Sequence, residues 1–311
     1  MIAPKVIPTG SKQARQVSTT MQIVYHIGAN CTDQDRLLKS ILKNADTFAE
    51  QGTKVPGPGK YRRLLRETVQ ALDGQLPEPD TREILLDAII DDERCHRLVM
   101  SHSQFICIHR RVFEDGVFYG LAEDKLRGLA SLFPHDEIEI FMGLRNPATF
   151  IPAVFTDSPE DNYATFMHGF DPMSLRWSQL IARMQQAIPQ ASLTVWANED
   201  TPLIWAQLIR EIAGVDALTK ITGGFDLLST IMSAEGMKHF VTYLKNNPPQ
   251  TEMQKRRIIA AFLEKYALEE EVEEVVDLPG WTEETVNALT EIYEEDLLQI
   301  ERMGGVNVIA P

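Results

Sequence analysis

The segment His26-Ile27-Gly28-Ala29-Asn30-Cys31-Thr32-Asp33-Gln34-Asp35 concentrates groups that could do chemistry. An apolar run ends at Gly28 and a helical pattern follows, so the turn between them offers backbone N–H groups and a positive dipole end to an anion. A phosphate-cradling loop normally adds a Lys, a hydroxyl and further Gly. Gly28 and Thr32 meet that description, whereas Asp33 and Asp35 put negative charge where phosphates would lie. The same residues also read as an ordinary capped helix start. Cys31 lies in this turn; a helix N-terminus lowers a thiol pKa, the two aspartates oppose that, and a plain loop cysteine is expected.

Two further places close apolar runs. Leu144-Arg145-Asn146-Pro147 sets an Arg at a strand end, suited to bidentate contact with phosphate or carboxylate or to a structural salt bridge. Asn198-Glu199-Asp200-Thr201-Pro202 follows another run, and acids there are expected to cap the next helix. Ser101-His102-Ser103-Gln104 offers His102, which has the chemistry to deprotonate a hydroxyl but is more readily a hydrogen-bonded structural residue. His96, His102 and His109 are six and seven residues apart, which fits no single helix face, so no metal site is expected among them. Tyr61-Arg62-Arg63-Leu64-Leu65-Arg66 and His109-Arg110-Arg111 could supply anion contacts, with solvated helix faces as the default.

The elements that must position these groups follow from periodicity. Short β-branched or apolar runs at 22–28, 97–101, 137–144 and 192–197 predict buried strands. Helical spacing predicts helices over 33–48, 61–72, 82–90, 121–132, 148–155, 174–188 and 202–213, then 234–244, 252–266 and 283–300, with a further short strand at 305–309. Strands alternating with helices imply an α/β fold: a mostly parallel central sheet with helices on both faces, plus a helical C-terminal portion. Ligands of such sheets bind at the carboxyl ends of the strands. The organisation expected is a disordered tail or misassigned start over 1–20, an α/β core over 21–214, and a helical, acidic portion over 215–311 packed on the core.

The chain has 311 residues and a formal charge of −15, enough length for a large core without staples. Fourteen acidic residues and one basic residue lie between Glu264 and Glu301, leaving −2 for the rest of the chain. Nothing in that balance supports nucleic-acid binding, which needs clustered Lys and Arg. The acidic segment reads as a solubilising surface or as a docking site for a basic protein partner. Three cysteines without C-x-x-C spacing exclude a disulfide scaffold and fit a reducing compartment. No apolar run reaches the roughly 18 residues of a membrane span, and a cytoplasmic location is expected.

Taken in order, these segments resemble the sulfotransferase family, within the P-loop nucleoside-triphosphatase-like fold. Bacterial members often begin strand-HIGAHKTGTT-helix, with a Pro-Gly-Pro-Gly-Lys-Tyr-Arg-like stretch further on. The match runs through His26–Asp35, Gly52–Arg62 (GTKVPGPGKYR), Leu144–Pro152 (LRNPATFIP) and Glu199-Asp200, across roughly residues 21–214. The resemblance implies that the first loop, with Gly28, Asn30 and Thr32, cradles the 5′-phosphosulfate end of 3′-phosphoadenosine 5′-phosphosulfate (PAPS). It implies that Arg145 holds the 3′-phosphate, and that a base near the second strand's end, here His102, accepts a proton from a hydroxyl or amine acceptor. The chain departs from the pattern at several positions: the loop Lys is Cys31, the next Gly is Asp33, the paired Thr are Gln34 and Asp35, a Ser is Ala153 and a Tyr is Asn198. Sulfuryl transfer depends on fixed positive charge around the transferred oxygens, and losing one such donor costs on the order of 3 kcal/mol. Two expectations therefore stand together: a divergent sulfotransferase, or a catalytically inactive relative binding a small anion or a partner protein.

Overall fold

A computed structural model describes residues 20–90, 95–272, 278 and 280–311. The tail expected over 1–20 falls almost wholly outside them, as does part of the acidic segment. The described chain is α/β, with one six-stranded, all-parallel sheet of order β2-β3-β1-β4-β5-β6. The strands are β1 (Gln22–His26), β2 (Thr53–Lys54), β3 (Arg97–Ser101), β4 (Glu137–Leu144), β5 (Ser192–Ala197) and β6 (Val306–Val308). Between β1 and β3 the chain forms α1 (Arg36–Leu42), α2 (Ala45–Glu50), α3 (Arg62–Leu72) and α4 (Thr81–Ile89). Then come α5 (Ala122–Ser131), α6 (Pro147–Thr156), α7 (Tyr163–Met167), α8 (Trp177–Ala187) and α9 (Thr201–Ala213). The C-terminal part holds α10 (Leu228–Ile231), α11 (Ala234–Asn246), α12 (Glu252–Tyr266), α13 (Glu269–Val272) and α14 (Glu283–Glu301).

Parallel strands covered on both faces bury successive side chains in opposite cores, which is why they read as continuous apolar runs. Ile23 and Tyr25 face one core with Leu98, Met100, Ile140 and Met142, closed by α3, α5, α8 and α14. Val24 faces the other with Val99, Phe141 and Trp196, closed by α1 and α9. A third, small cluster of Leu228, Ile231, Phe240 and Ile259 holds α10 to α12 together.

One feature departs from the sequence expectation, and the expected short C-terminal strand gives a second its place. The helix expected over 33–48 is broken at Asn44, whose side-chain amide donates to the carbonyls of Ser40 and Thr222 and accepts from Thr222 N–H. The C-terminal portion is not uniformly a helical appendage. Its last strand, β6, pairs with β5, and α14 packs on α6 and α8, while α10 to α12 carry their own apolar cluster and α12 packs on α9. No helix among the described residues is long and apolar enough to cross a membrane.

Candidate functional site

From β1 the chain leaves toward the β2 edge, and from β4 it leaves toward β5 on the other side. Connections that diverge from neighbouring strands open a crevice at their carboxyl ends, the usual ligand position in such sheets. Here the β1–α1 loop and Arg145-Asn146 flank that crevice. A cleft of about 410 Å³ opens there, walled by Thr32, Asp33 and Arg36 after β1, Asn146 after β4 and Glu199 after β5, with Ile231 of α10 opposite.

The β1–α1 loop is held from several sides. Ala29 N–H bonds the Gly143 carbonyl at 2.9 Å, and Gly143 N–H bonds the Gly28 carbonyl, extending the β1–β4 ladder. Gly28 has φ +103°, and a Cβ there would lie 3.1 Å from the Ser103 Cα, so only glycine fits. Asn30 is fully buried; its backbone N–H donates to the Tyr119 hydroxyl, which donates back to its Oδ1 at 2.6 Å, while its Nδ2 donates to the Cys107 carbonyl. Its amide is thus turned inward as a strut of the loop rather than toward the cleft. Thr32 Oγ1 donates to the Ala29 carbonyl at 2.8 Å and stays at the cleft wall.

The two aspartates do not stand as free charges. Asp33 Oδ2 accepts the Leu37 N–H at 3.1 Å and caps α1. Asp35 forms a bidentate pair with Arg62 at 2.6 and 2.8 Å, and the Arg62 guanidinium also donates to the Ser101 carbonyl at the end of β3. The Arg62 hydrogen bond holds the Asp35 carboxyl below its usual range. Arg62 therefore belongs neither to a solvated helix face nor to an anion contact: it neutralises the loop.

Cys31, Gln34 and Asp35 adopt left-handed φ values of 54°, 49° and 62°. For side-chain-bearing residues this costs on the order of 1–3 kcal/mol each and persists only where the surroundings impose it. The anchors from Tyr119 and Arg62 supply that constraint. Arg145 completes it: buried at 7% exposure, it donates Nη1 to the Cys31 carbonyl and Nε to Thr149 Oγ1 at 3.1 Å. The turn over Asn30-Cys31 engages the Thr32 N–H, and among the described residues no acceptor meets the backbone N–H groups of Asp33, Gln34 and Asp35. A run of unpartnered N–H groups in a tight turn is the raw material of an anion nest. The α1 N-terminus itself adds little, because Asp33 already occupies it.

His102 follows β3, and its N–H donates to the His26 carbonyl at 2.9 Å. Desolvation and the nearby Arg62 and Arg66 lower its imidazole to about 4, so it is uncharged at neutral pH. His26, at the end of β1, is buried; its Nδ1 pairs with Ser101 Oγ at 2.8 Å, its ring stacks on Trp196, and its Nε2 meets no partner among the described residues. Burial lowers its pKa as well.

Glu199 is not a helix cap. Its carboxylate accepts the Asn146 N–H at 2.8 Å and the Tyr293 hydroxyl at 2.9 Å, tying the β4 end to α14. Burial and Glu199 push the Tyr293 hydroxyl up, so it remains a donor. Asn146 caps α6 through Ala148 N–H, with Pro147 at the first helical position, which fixes where Arg145 leaves β4.

The structure thus sets Thr32 on the cleft wall with Arg145 buried behind the loop, draws Asn30 into the core and sets His102 beside the Arg62–Asp35 pair. Sequence reasoning missed Tyr119, Tyr293 and the role of Arg62. For Tyr119, a Tyr beside apolar Val117 and Phe118, whose hydroxyl must find a partner when buried, is the signal available; Tyr293, flanked by acids in Glu291–Asp296, gives none. No family model, curated protein or solved structure matches this chain.

Proposed function

We propose that the chain is a divergent sulfotransferase-like protein of P-loop-like fold whose switch-point cleft binds a small anion of the 3′-phosphoadenosine nucleotide class, and that it has lost sulfuryl transfer. The observation that carries this reading is the β1–α1 loop at the cleft wall, in which three backbone N–H groups meet no acceptor among the described residues, with the buried Arg145 guanidinium holding the Cys31 carbonyl behind it. Binding needs little more than those N–H groups and Arg36, since both loop aspartates are already engaged. Transfer needs a cation on the reacting oxygens, and Cys31 stands where the resemblance leads one to look for it. Glu199 and Asp33 on the cleft wall add to the deficit.

A second reading, PAPS-dependent transfer to a hydroxyl or amine, draws support from His102, which is uncharged at neutral pH and so able to take a proton. A base of pKa about 4 is a weak one.

Calorimetric titration with adenosine 3′,5′-bisphosphate, alongside a PAPS turnover assay on mixed alcohols and amines, separates the readings. Micromolar binding that weakens about tenfold in Arg145→Ala, roughly 1.4 kcal/mol, with no turnover is the expected result. Absence of binding at millimolar ligand overturns the proposal. Turnover that disappears in His102→Gln transfers support to the enzyme.

A further inference from the structure

Three connections that leave the carboxyl ends of neighbouring strands deliver metal-ligating side chains to one spot. Cys31 comes from the loop after β1, His109 from the segment after β3, and Asp157 from the residue that ends α6 after β4. One ligand atom of each, Sγ, an imidazole nitrogen and a carboxylate oxygen, lies within 4.8 Å of the other two. Cys31 Sγ already contacts Asp157 Oδ2 at 3.4 Å. We propose that Cys31, His109 and Asp157 form a three-ligand site for a zinc-like divalent ion.

The donor set fits that ion. Thiolate, imidazole and carboxylate are the three ligand types zinc accepts, at roughly 2.0–2.3 Å; the Cys31–Asp157 contact already has the spacing tetrahedral geometry asks for, and the 4.8 Å bound on the other separations leaves at most a modest closure. The adjustment asked for is an inward shift of side chains, two of them half-buried and one, Asp157, exposed. The Cys31 carbonyl is gripped by Arg145, so the backbone that carries the thiol is positioned in advance. The other two cysteines are poor competitors. Cys95 and Cys107 are buried, and burial pushes the Cys107 thiol up to about 12.

Histidine spacing along the chain conceals this site, because its three ligands are 48 and 78 residues or more apart in sequence and meet only through the sheet. Binding would release the Cys31 thiol proton to solvent, turning a thiol, a neutral imidazole and a carboxylate of total charge −1 into a neutral assembly. Three protein ligands leave a position for water or for an oxygen of another ligand. Cys31 is the chain neighbour of Thr32 in the cleft wall, so that position would lie next to the proposed anion loop. Metal binding itself does not depend on the anion reading.

Titration of chelator-stripped, reduced protein with Co²⁺ tests the site, since cobalt reports thiolate ligation by a charge-transfer absorption in the near ultraviolet. One equivalent, a charge-transfer band and displacement by Zn²⁺ are expected. Cys31→Ser removes the band; His109→Gln and Asp157→Asn each weaken binding at least tenfold; Cys95→Ala changes neither. The metal-free melting temperatures of the variants, compared with that of the parent, separate lost ligation from misfolding. No band in the parent, a band that persists in Cys31→Ser, or equal affinity in the triple variant overturns the proposal. Cobalt binding without adenosine 3′,5′-bisphosphate binding keeps the metal site and removes the anion reading; the reverse result does the opposite.

Discussion

The two ends of the same sheet use charge in opposite ways. At the amino edge, Arg82 grips Asp136 at 2.6 and 2.8 Å, with side-chain exposures of 7% and 0%, and Asp136 also accepts the Met21 N–H. Beside it, Arg97 holds Glu139 in a bidentate pair at 2.7 Å and donates to Gln22 and to the carbonyls of Ile212 and Glu211. Both pairs there are matched and largely shielded from solvent. At the carboxyl edge the Arg62–Asp35 pair is half open, Arg145 donates to a carbonyl and a hydroxyl, and the loop between them keeps N–H groups that no acceptor among the described residues meets. Buried, fully matched ions make an edge rigid but inert, whereas incompletely matched polar groups next to a cleft are what a ligand can use.

The strongest way to break that contrast is to unmatch the sealed end. Arg82→Leu leaves the Asp136 carboxylate buried with no cation, and is expected to cost about 3–5 kcal/mol in urea unfolding. A loss no larger than that of the carboxyl-edge variants below would mean the two ends are alike. The acidic C-terminal helix sharpens the point within one element. Asp296 is buried and accepts both the Ser178 N–H and the Ser178 hydroxyl, so Asp296→Ala is expected to cost about 1–3 kcal/mol, while the exposed Glu295→Gln stays within about 0.5 kcal/mol.

At the open end, Arg62→Met removes a half-exposed ion pair and two contacts to the Ser101 carbonyl, for an expected loss of about 1–2 kcal/mol. Its pH dependence follows from the lowered Asp35 carboxyl. The pair's contribution is present above the unfolded value of about 4 and is lost as pH falls through the lower folded value, so parent and Asp35→Asn converge in stability at acid pH. Unfolding midpoints that stay apart down to pH 2 would refute that assignment.

The last effect, a slope with pH rather than a step in stability, concerns His102. Its folded pKa of about 4 lies below the unfolded value of about 6.5, so between those values the unfolded chain binds a proton that the folded chain refuses. Stability therefore rises with pH across that window and is at its full value above it. His26 is lowered in the same direction, so His102→Asn should make the slope shallower without abolishing it. An unchanged slope in denaturant titrations across pH 4–7 would show that His102 titrates normally.

How much of this was legible differs by element. The ranges read for β3, β4 and β5 match the structure, because strands buried on both faces are written locally as apolar runs between turn residues. The two-residue β2, paired at only two positions on the edge, leaves no such trace. The break between α1 and α2 was illegible for a different reason, since Asn44 bonds a loop 178 residues away. Of the site, Gly28 and Arg145 could be singled out, as strand ends are marked by turn chemistry. The fate of Asn30 and of Asp35 could not, because Tyr119 is 89 residues distant and Arg62 is 27.

The amino-acid sequence alone determined the alternation of strands and helices, and with it a parallel sheet whose β1–α1 turn and Arg145 lie at strand ends. These are local matters of side-chain periodicity and turn residues. Which charges in that turn are spent, and which groups remain open, was decided only when the chain closed on itself. Electrostatic and hydrogen-bonding outcomes depend on distance and burial, and the partners of Asp35, Asn30 and Cys31 reach them only through the folded sheet. A loop that reads as two carboxylates too acidic for an anion becomes, once Arg62 and the Leu37 N–H are in place, a loop whose carboxylates are already engaged.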